Sequence, residues 1–461
     1  MSFSFTLRRG LASSGKCYHR KARNIPEGFF PSAGRAAAAF TIRRYSVKSP
    51  PKADVDSIVI RSNMRSPQRR RKATYTSDDK FHLPAQEDWV AAFPTAGTTF
   101  SSRVFLRNPQ SAALVADAFV PAGSKDKVII EAFPGPGVLT RALMALPKER
   151  IRKIIVLEHL EPYLDFLRPL QAADSRVHVL PLDGYSWNSY QKLEADGYLN
   201  DIDTVPWDQS HPHLHFLAHL PTSVYGEQLI AQFLRLIPDG GWLFQYGRVP
   251  MSYVMHDWLW EVSRAQTSTE SLNRCKLSVI AQAVSSFAQQ LSPEALIPCG
   301  RHFWPSSVVP GHKAIPMTAI TMDPLERQII EKGMLDKWDY CLRKLFVLKS
   351  KNLERAIGHL APGSTALLSY LTDPTLPADH PARADASKLI RKMEVMDWAA
   401  VSKASCAHLE NFPGRRLYRE HYYLRAWKLA LGIESGEKGE WAEGVRCSEI
   451  GVIQEVVMRK S

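Results

Sequence analysis

Cysteine is sparse in this chain of 461 residues: there are six, at Cys17, Cys275, Cys299, Cys341, Cys406 and Cys447. They are scattered with no C-x-x-C pair, which argues against a zinc site and against a disulfide framework, so no metal is expected. Long hydrophobic runs are also missing. None approaches the roughly 18–20 residues needed to cross a bilayer, so no membrane association is expected. No internal repeat is present. Acidic residues are nearly absent from the first 45 positions, where Glu27 stands alone against nine basic residues. Removing that segment takes +8 from a net charge of +13 and leaves +5, a mildly basic remainder compatible with an anionic partner. The 45% hydrophobic and 23% charged residues exclude a wholly disordered or collagen-like chain.

The segment 1–45 is Arg-rich, rich in Ser and small residues, and reads as a mitochondrial transit peptide. Arg43-Arg44-Tyr45-Ser46 resembles a matrix-protease site, and a reducing matrix fits the cysteine usage; a basic tail that stays attached is the other reading. From 46 to 99 no hydrophobic period is sustained, and the block Arg65-Ser66-Pro67-Gln68-Arg69-Arg70-Arg71-Lys72 is either a solvated linker or a phosphate contact.

Between 100 and 325 short apolar strands alternate with helices. Asn108-Pro109 predicts a helix start, since Asn caps free N–H groups and Pro fits the first helical position. Strands are predicted at 128–130, 154–157, 177–180, 215–217 and 242–246, and helices at 138–146, from 161, and at 225–237. Such alternation implies a parallel sheet covered on both faces, with ligands beyond the carboxyl ends of the strands. The informative residues are then 131–137, 158, 183 and 218–222. After about 326 helical spacing dominates, with helices expected at 327–349, 353–359, 386–403 and 415–431, so 326–461 is read as a smaller helical domain.

Gly135 and Gly137 flank a proline in a strand-to-helix turn, where a ligand can approach the backbone closely. Glu158 ends the next strand, where one carboxylate can accept from two ribose hydroxyls. Together they suggest a nucleoside-type cofactor without choosing between NAD and S-adenosylmethionine. Simpler readings stand beside these: Glu158 capping its own turn, Asp183 as a loop carboxylate, Phe303 and Trp304 as core aromatics.

Several stretches, in order over about 103–360, resemble the rRNA adenine dimethyltransferase family and its mitochondrial transcription factor B branch. Phe105-Leu106-Arg107-Asn108-Pro109 resembles F-L-x-x-P, and Glu131 to Thr140 resembles E-I-G-P-G-x-G-x-L-T. Leu220-Pro221 resembles the centre of N-L-P-Y, Leu277-Ser278-Val279 with Gln282 resembles L-S-V-x-x-Q, and Phe303-Trp304-Pro305 resembles F-x-P. Leu342-Arg343-Lys344-Leu345-Phe346 through Leu360 resembles the family's F-x-x-R-R-K-x-L-x-x-x-L. The resemblance implies a Rossmann-like class I S-adenosylmethionine methyltransferase domain followed by the helical domain. It assigns cofactor contacts to Glu131, Gly135, Gly137, Glu158 and Asp183, and the target base to His219-Leu220-Pro221-Thr222 and Phe303.

The sequence departs from the family at two places. Phe133 stands where the family has the first Gly of its turn, and His219 and Thr222 replace the Asn and the aromatic of N-L-P-Y. Threonine has no π face, so a base stack worth about 1–3 kcal/mol is missing; Tyr225, Phe303 or Trp304 are the candidates to replace it. The resemblance therefore implies a monomeric factor of the mitochondrial matrix nucleoid. Such a factor assists mitochondrial RNA polymerase in opening promoters and binds the melted DNA strand. An active rRNA adenine N(6)-dimethyltransferase, or an RNA-binding assembly protein without catalysis, are the alternatives. Nucleic-acid contacts are expected at Arg343 and Lys344 and in the interleaved basic and aromatic run holding Arg415, Arg416, Arg419, Tyr422 and Arg425; an amphipathic helix explains the same run.

Overall fold

The computed structural model describes residues 79–411, apart from 96, 98, 99, 265–271, 306–315 and 378, and the side chains of 79 and 409–411. The presumed transit peptide, most of the linker, and Arg415, Arg416, Arg419, Tyr422 and Arg425 lie outside the described residues. The described residues fall within one compact unit, 70–415.

Nine strands are present among them: β1 Phe105–Leu106, β2 Lys127–Ala132, β3 Ile151–Leu157, β4 Val177–Leu180, β5 Leu214–His219, β6 Met251–His256, β7 Ser285–Leu291, β8 Phe303–Trp304 and β9 Met317–Pro324. Seven form one sheet in the order β4-β3-β2-β5-β6-β9-β7, and β1 pairs with β8 in a separate antiparallel ribbon. β2 runs parallel to β3 and β5, β3 to β4, and β5 to β6. β9 is antiparallel to both β6 and β7. The chain winds outward from β2 and then returns beside it at β5, so the strand order reverses between these two. A crevice at the carboxyl ends there is where such sheets bind ligands.

Side-chain alternation explains why both faces are covered. Val128, Ile130, Phe216 and Ala218 enter one buried cluster with Leu229, Phe233, Trp338, Leu342 and Trp398. Ile129 and Leu217, one residue out of phase, enter another with Ala112, Val115, Leu139 and Leu167. The helices after Leu335 therefore share a hydrophobic core with the sheet. Helix Pro109–Phe119 begins as its sequence suggests: the Asn108 side chain accepts from Gln110 N and Ser111 N.

Four expectations are corrected. Residues 242–246 form a 3-10 turn rather than a strand, and the fifth parallel strand is β6. Trp242 has φ 56 and lays its ring flat on Phe233, with centroids 4.3 Å apart; that packing needs a turn, although the apolar run alone fits a strand. The sheet is mixed, because β7 and β9 add antiparallel pairing that their less regular sequences concealed. The helix expected at 327–349 starts only at Leu335, since Gly333 has φ 76 and cannot continue a right-handed helix. Likewise the helix expected from 386 starts at Val395, where Asp397 Oδ2 accepts from Glu394 N at 2.8 Å and fixes the first turn.

Candidate functional site

Four strands deliver the residues singled out in the sequence to one edge of the sheet. β2 ends at Ala132 and runs into the 133–137 turn, β3 into Glu158, β4 toward Asp183, and β5 into His219-Leu220-Pro221-Thr222. The turn is tight: Phe133, Gly135 and Gly137 all have positive φ, at 60, 63 and 85. Phe133 is the unexpected member, because a bulky residue rarely adopts this conformation. Its ring is 4% exposed, and its Cζ lies 3.2 Å from where a Cβ on Gly184 would stand. The ring thus reaches from the glycine turn to the loop after β4, two segments whose residues are expected from the sequence to contact a cofactor.

Glu158 is wholly committed. Its Oε1 accepts from Arg103 Nη1 at 3.3 Å, from His159 N at 3.0 Å and from Leu160 N at 3.1 Å. Its Oε2 takes a second, short bond from Arg103 Nη2. The carboxylate has no exposed surface, and Arg103 is 5% exposed. The same guanidinium lies over the rings of Phe133 and Tyr163, 5.1 and 5.5 Å from their centroids. The pair is two-pronged, with aromatic faces on the cation, so breaking it would leave a buried charge without its partner. The capping reading of Glu158 thus describes its bonds, with an ion pair that no motif had pointed to.

Asp183 shapes its own loop: Oδ1 accepts from Tyr185 N at 2.9 Å, while His159 Nδ1 lies 3.8 Å away. Glu131 is fully buried, with Oε2 accepting from Thr140 Oγ1 at 2.7 Å and Oε1 lacking a partner among the described residues. Burial pushes its carboxyl up to about 7, against the Thr140 bond and with help from the Glu158 charge.

At the β5 end, His219 is 2% exposed and neither ring nitrogen has a hydrogen-bond partner among the described residues. Burial, with the nearby Arg103 charge, pushes it down to about 3, so it is neutral at physiological pH. Leu220 and Pro221 are buried. Thr222 donates from N at 2.9 Å and from Oγ1 at 3.2 Å to the carbonyl of Ser102. It therefore ties down the segment that carries Arg103. Tyr225 is 58% exposed and meets Tyr185 edge to face at 5.7 Å. Phe303 and Trp304 are buried opposite Leu106 and Phe105. Phe303 has no exposed surface, so a base could reach its face only by opening that ribbon.

Gly226 was missed in the sequence. A Cβ there would stand 2.0 Å from the Pro221 carbonyl oxygen, so only glycine lets helix Val224–Leu236 start against this turn. A glycine in the first turn of an apolar helix is the available signal. Arg103 carried no signal of its own, lying two residues ahead of the recognisable motif. Arg343 pairs with Asp339 and Lys344 lies 5.7 Å from the Tyr340 ring centre, both on helix Leu335–Leu345. Among the described residues no cluster of His, Cys, Asp or Glu could hold a metal ion, and no helix is long and apolar enough to cross a membrane.

The model of the family described as ribosomal RNA adenine dimethylase matches residues 96–390. The chain belongs to that family. Its mixed sheet and strand-end site are the Rossmann-like α/β fold of class I methyltransferases, as the resemblance implied. Among relatives, the chain is 25% identical to a protein of Lachancea kluyveri named mitochondrial transcription factor 1, over 54% of this chain and 74% of that one. It is 25% identical to the Saccharomyces cerevisiae protein of the same name, over 54% and 73%. It is 28% identical to a Xenopus tropicalis protein named mitochondrial dimethyladenosine transferase 1, over 33% of this chain and 41% of that one.

Members of a methyltransferase family need room for S-adenosylmethionine, and here the residues do not fit it. A ribose would need the Glu158 carboxylate, whose oxygens are taken by Arg103 and by two backbone N–H groups. The Phe133 ring takes up space beside the turn, at the position where the resemblance implies a glycine.

Proposed function

We propose that this chain is a mitochondrial transcription initiation factor built on a methyltransferase scaffold. It assists mitochondrial RNA polymerase in opening promoters and holds the melted DNA strand. The observation that carries this reading is the state of the target-base motif. His219 is turned inward, neutral and without a partner among the described residues, and the Thr222 hydroxyl donates to the Ser102 carbonyl. Such a motif neither grips an exocyclic amine nor stacks on a flipped base, so methyl transfer has lost its positioning groups while the fold is kept. The names of the fungal relatives support the same reading.

In this reading residues 1–45 direct the chain to the mitochondrial matrix, where it acts in the nucleoid as a monomer. The helical region 326–461 supplies nucleic-acid contacts, with Arg343, Lys344 and the basic, aromatic run 415–428 as candidates. The test is run-off transcription by the cognate mitochondrial polymerase on a duplex promoter and on a pre-melted one. Strong stimulation confined to the duplex is expected. If the chain stimulates neither template but doubly methylates an rRNA hairpin from labelled S-adenosylmethionine, the dimethyltransferase reading replaces this one.

A further inference from the structure

The arrangement around Arg103 has the form of a ligand held in its own binding site. A ribose offers two donors to one carboxylate; the Arg103 guanidinium offers two parallel N–H donors to the same carboxylate. An adenosyl group would lie against apolar and aromatic walls; the cation lies between the Phe133 and Tyr163 rings. The segment that brings it in is pinned from outside by the two Thr222 bonds to Ser102 and anchored just beyond by the pairing of Phe105 and Leu106 with Trp304 and Phe303.

We propose that Arg103 and Phe133 are built-in occupants of the adenosyl-cofactor site, which is shut rather than dismantled. The frame beneath them stands. Glu131, Gly135, Gly137, Glu158 and Asp183 keep the positions at the strand ends. Packing explains why the frame persists without a cofactor. A Cβ on Gly135 would stand 2.5 Å from the Phe105 ring, and one on Gly137 2.5 Å from Leu167. Glu158 is retained because its loss would strand a buried guanidinium. Glu131, Gly135, Gly137 and Glu158 thus each have a structural partner within the chain, which holds the shape of the site with Arg103 and Phe133 in it.

This inference does not depend on the transcriptional role. A chain that fails to stimulate the polymerase yet excludes the cofactor leaves it standing, and the converse holds too. The test is equilibrium dialysis of the full chain with labelled S-adenosylhomocysteine, comparing the wild type with R103A/F133G. The wild type is expected to show no saturable binding into the millimolar range, and the double variant to bind at least about tenfold tighter. Binding by the wild type at the double variant's affinity overturns the proposal. So does a folded double variant that still does not bind, since the site is then dismantled. If R103A/F133G does not fold, a double-mutant cycle of R103M and E158Q decides. The pair should couple by about tenfold or more in the unfolding constant, and independent effects of the two changes overturn the proposal.

Discussion

Thr222 donates twice to one acceptor, the carbonyl of Ser102, through its backbone N at 2.9 Å and its hydroxyl at 3.2 Å. The residue at the position where the resemblance implies a stacking aromatic is thus a clamp on the segment before β1. Thr222→Val keeps the shape and the backbone bond but removes the hydroxyl bond. A loss of about 1 kcal/mol is expected in urea unfolding. Thr222→Ser, which keeps the hydroxyl, should recover most of that loss. Equal stability of all three proteins would show that the clamp contributes nothing.

His219 sits at the end of β5, 2% exposed, with both ring nitrogens unpaired among the described residues. Burying an unsatisfied polar group costs about 1–3 kcal/mol, so an apolar side chain of similar volume should remove a penalty. His219→Leu is expected to be neutral or to stabilise by about 1 kcal/mol, against the usual direction for a buried substitution. Under the proposed function, stimulation of transcription should survive it, because the ring has almost no surface for a partner to touch. A marked destabilisation in thermal melts would mean that the ring has a partner.

Two kinds of buried group set opposite pH dependences. His219 and His215 are each pushed down to about 3 by burial, aided by the Arg103 and Lys127 charges respectively. As pH falls below their ordinary 6.5, the unfolded chain takes up protons that the folded chain refuses, so stability is lost on acidification. Glu131, pushed up from 4.5 to about 7 chiefly by burial, behaves conversely. Its contribution is full below pH 4.5 and is lost as pH rises through 7. Glu131→Gln removes that loss. The variant should gain about 2–3 kcal/mol on the wild type between pH 4.5 and pH 8. A difference that stays flat across this range would place the Glu131 carboxyl at an ordinary value.

The fold was legible where local pattern and tertiary packing agree. Asn108-Pro109 caps the helix it was expected to cap, and β2 to β5 fall on the apolar runs that named them. It was illegible where packing overrides pattern. Trp242 turns under Phe233 instead of extending, and β7 and β9 pair at long range without a strong alternation of their own. At the site, the strand-end position led to Glu158 and the family motif to Phe133, but Arg103 lies outside every motif. Its role follows only from the approach of the segment before β1 to the end of β3, a distance of 55 residues along the chain that no spacing rule bridges.

Gly226 offers a test in which the sign alone decides. Gly→Ala within a helix ordinarily stabilises by about 0.5–1 kcal/mol. Here the added methyl would meet the Pro221 carbonyl at 2.0 Å, and that oxygen belongs to backbone that cannot rotate away. Gly226→Ala should therefore destabilise by about 2 kcal/mol or more and disturb the 219–222 turn. A stabilising effect would mean that the helix starts farther from the turn.

Phe133 separates backbone strain from ring packing in one comparison. Its φ of 60 is a conformation glycine adopts freely and other residues adopt at a cost of about 1–2 kcal/mol. Its ring, 4% exposed, repays that cost by burial and by its contact with the Arg103 guanidinium. Removing the ring should cost a few kcal/mol in either Phe133→Ala or Phe133→Gly, near the usual 3–5 for a buried aromatic. The two variants should then differ in an unusual direction. In ordinary right-handed backbone alanine is the more stable by about 0.5–1 kcal/mol, whereas here glycine should be the more stable by about 1. If alanine proves the more stable in chemical denaturation, the turn is not left-handed at this residue, and Phe133 does not reach across to Gly184 as described.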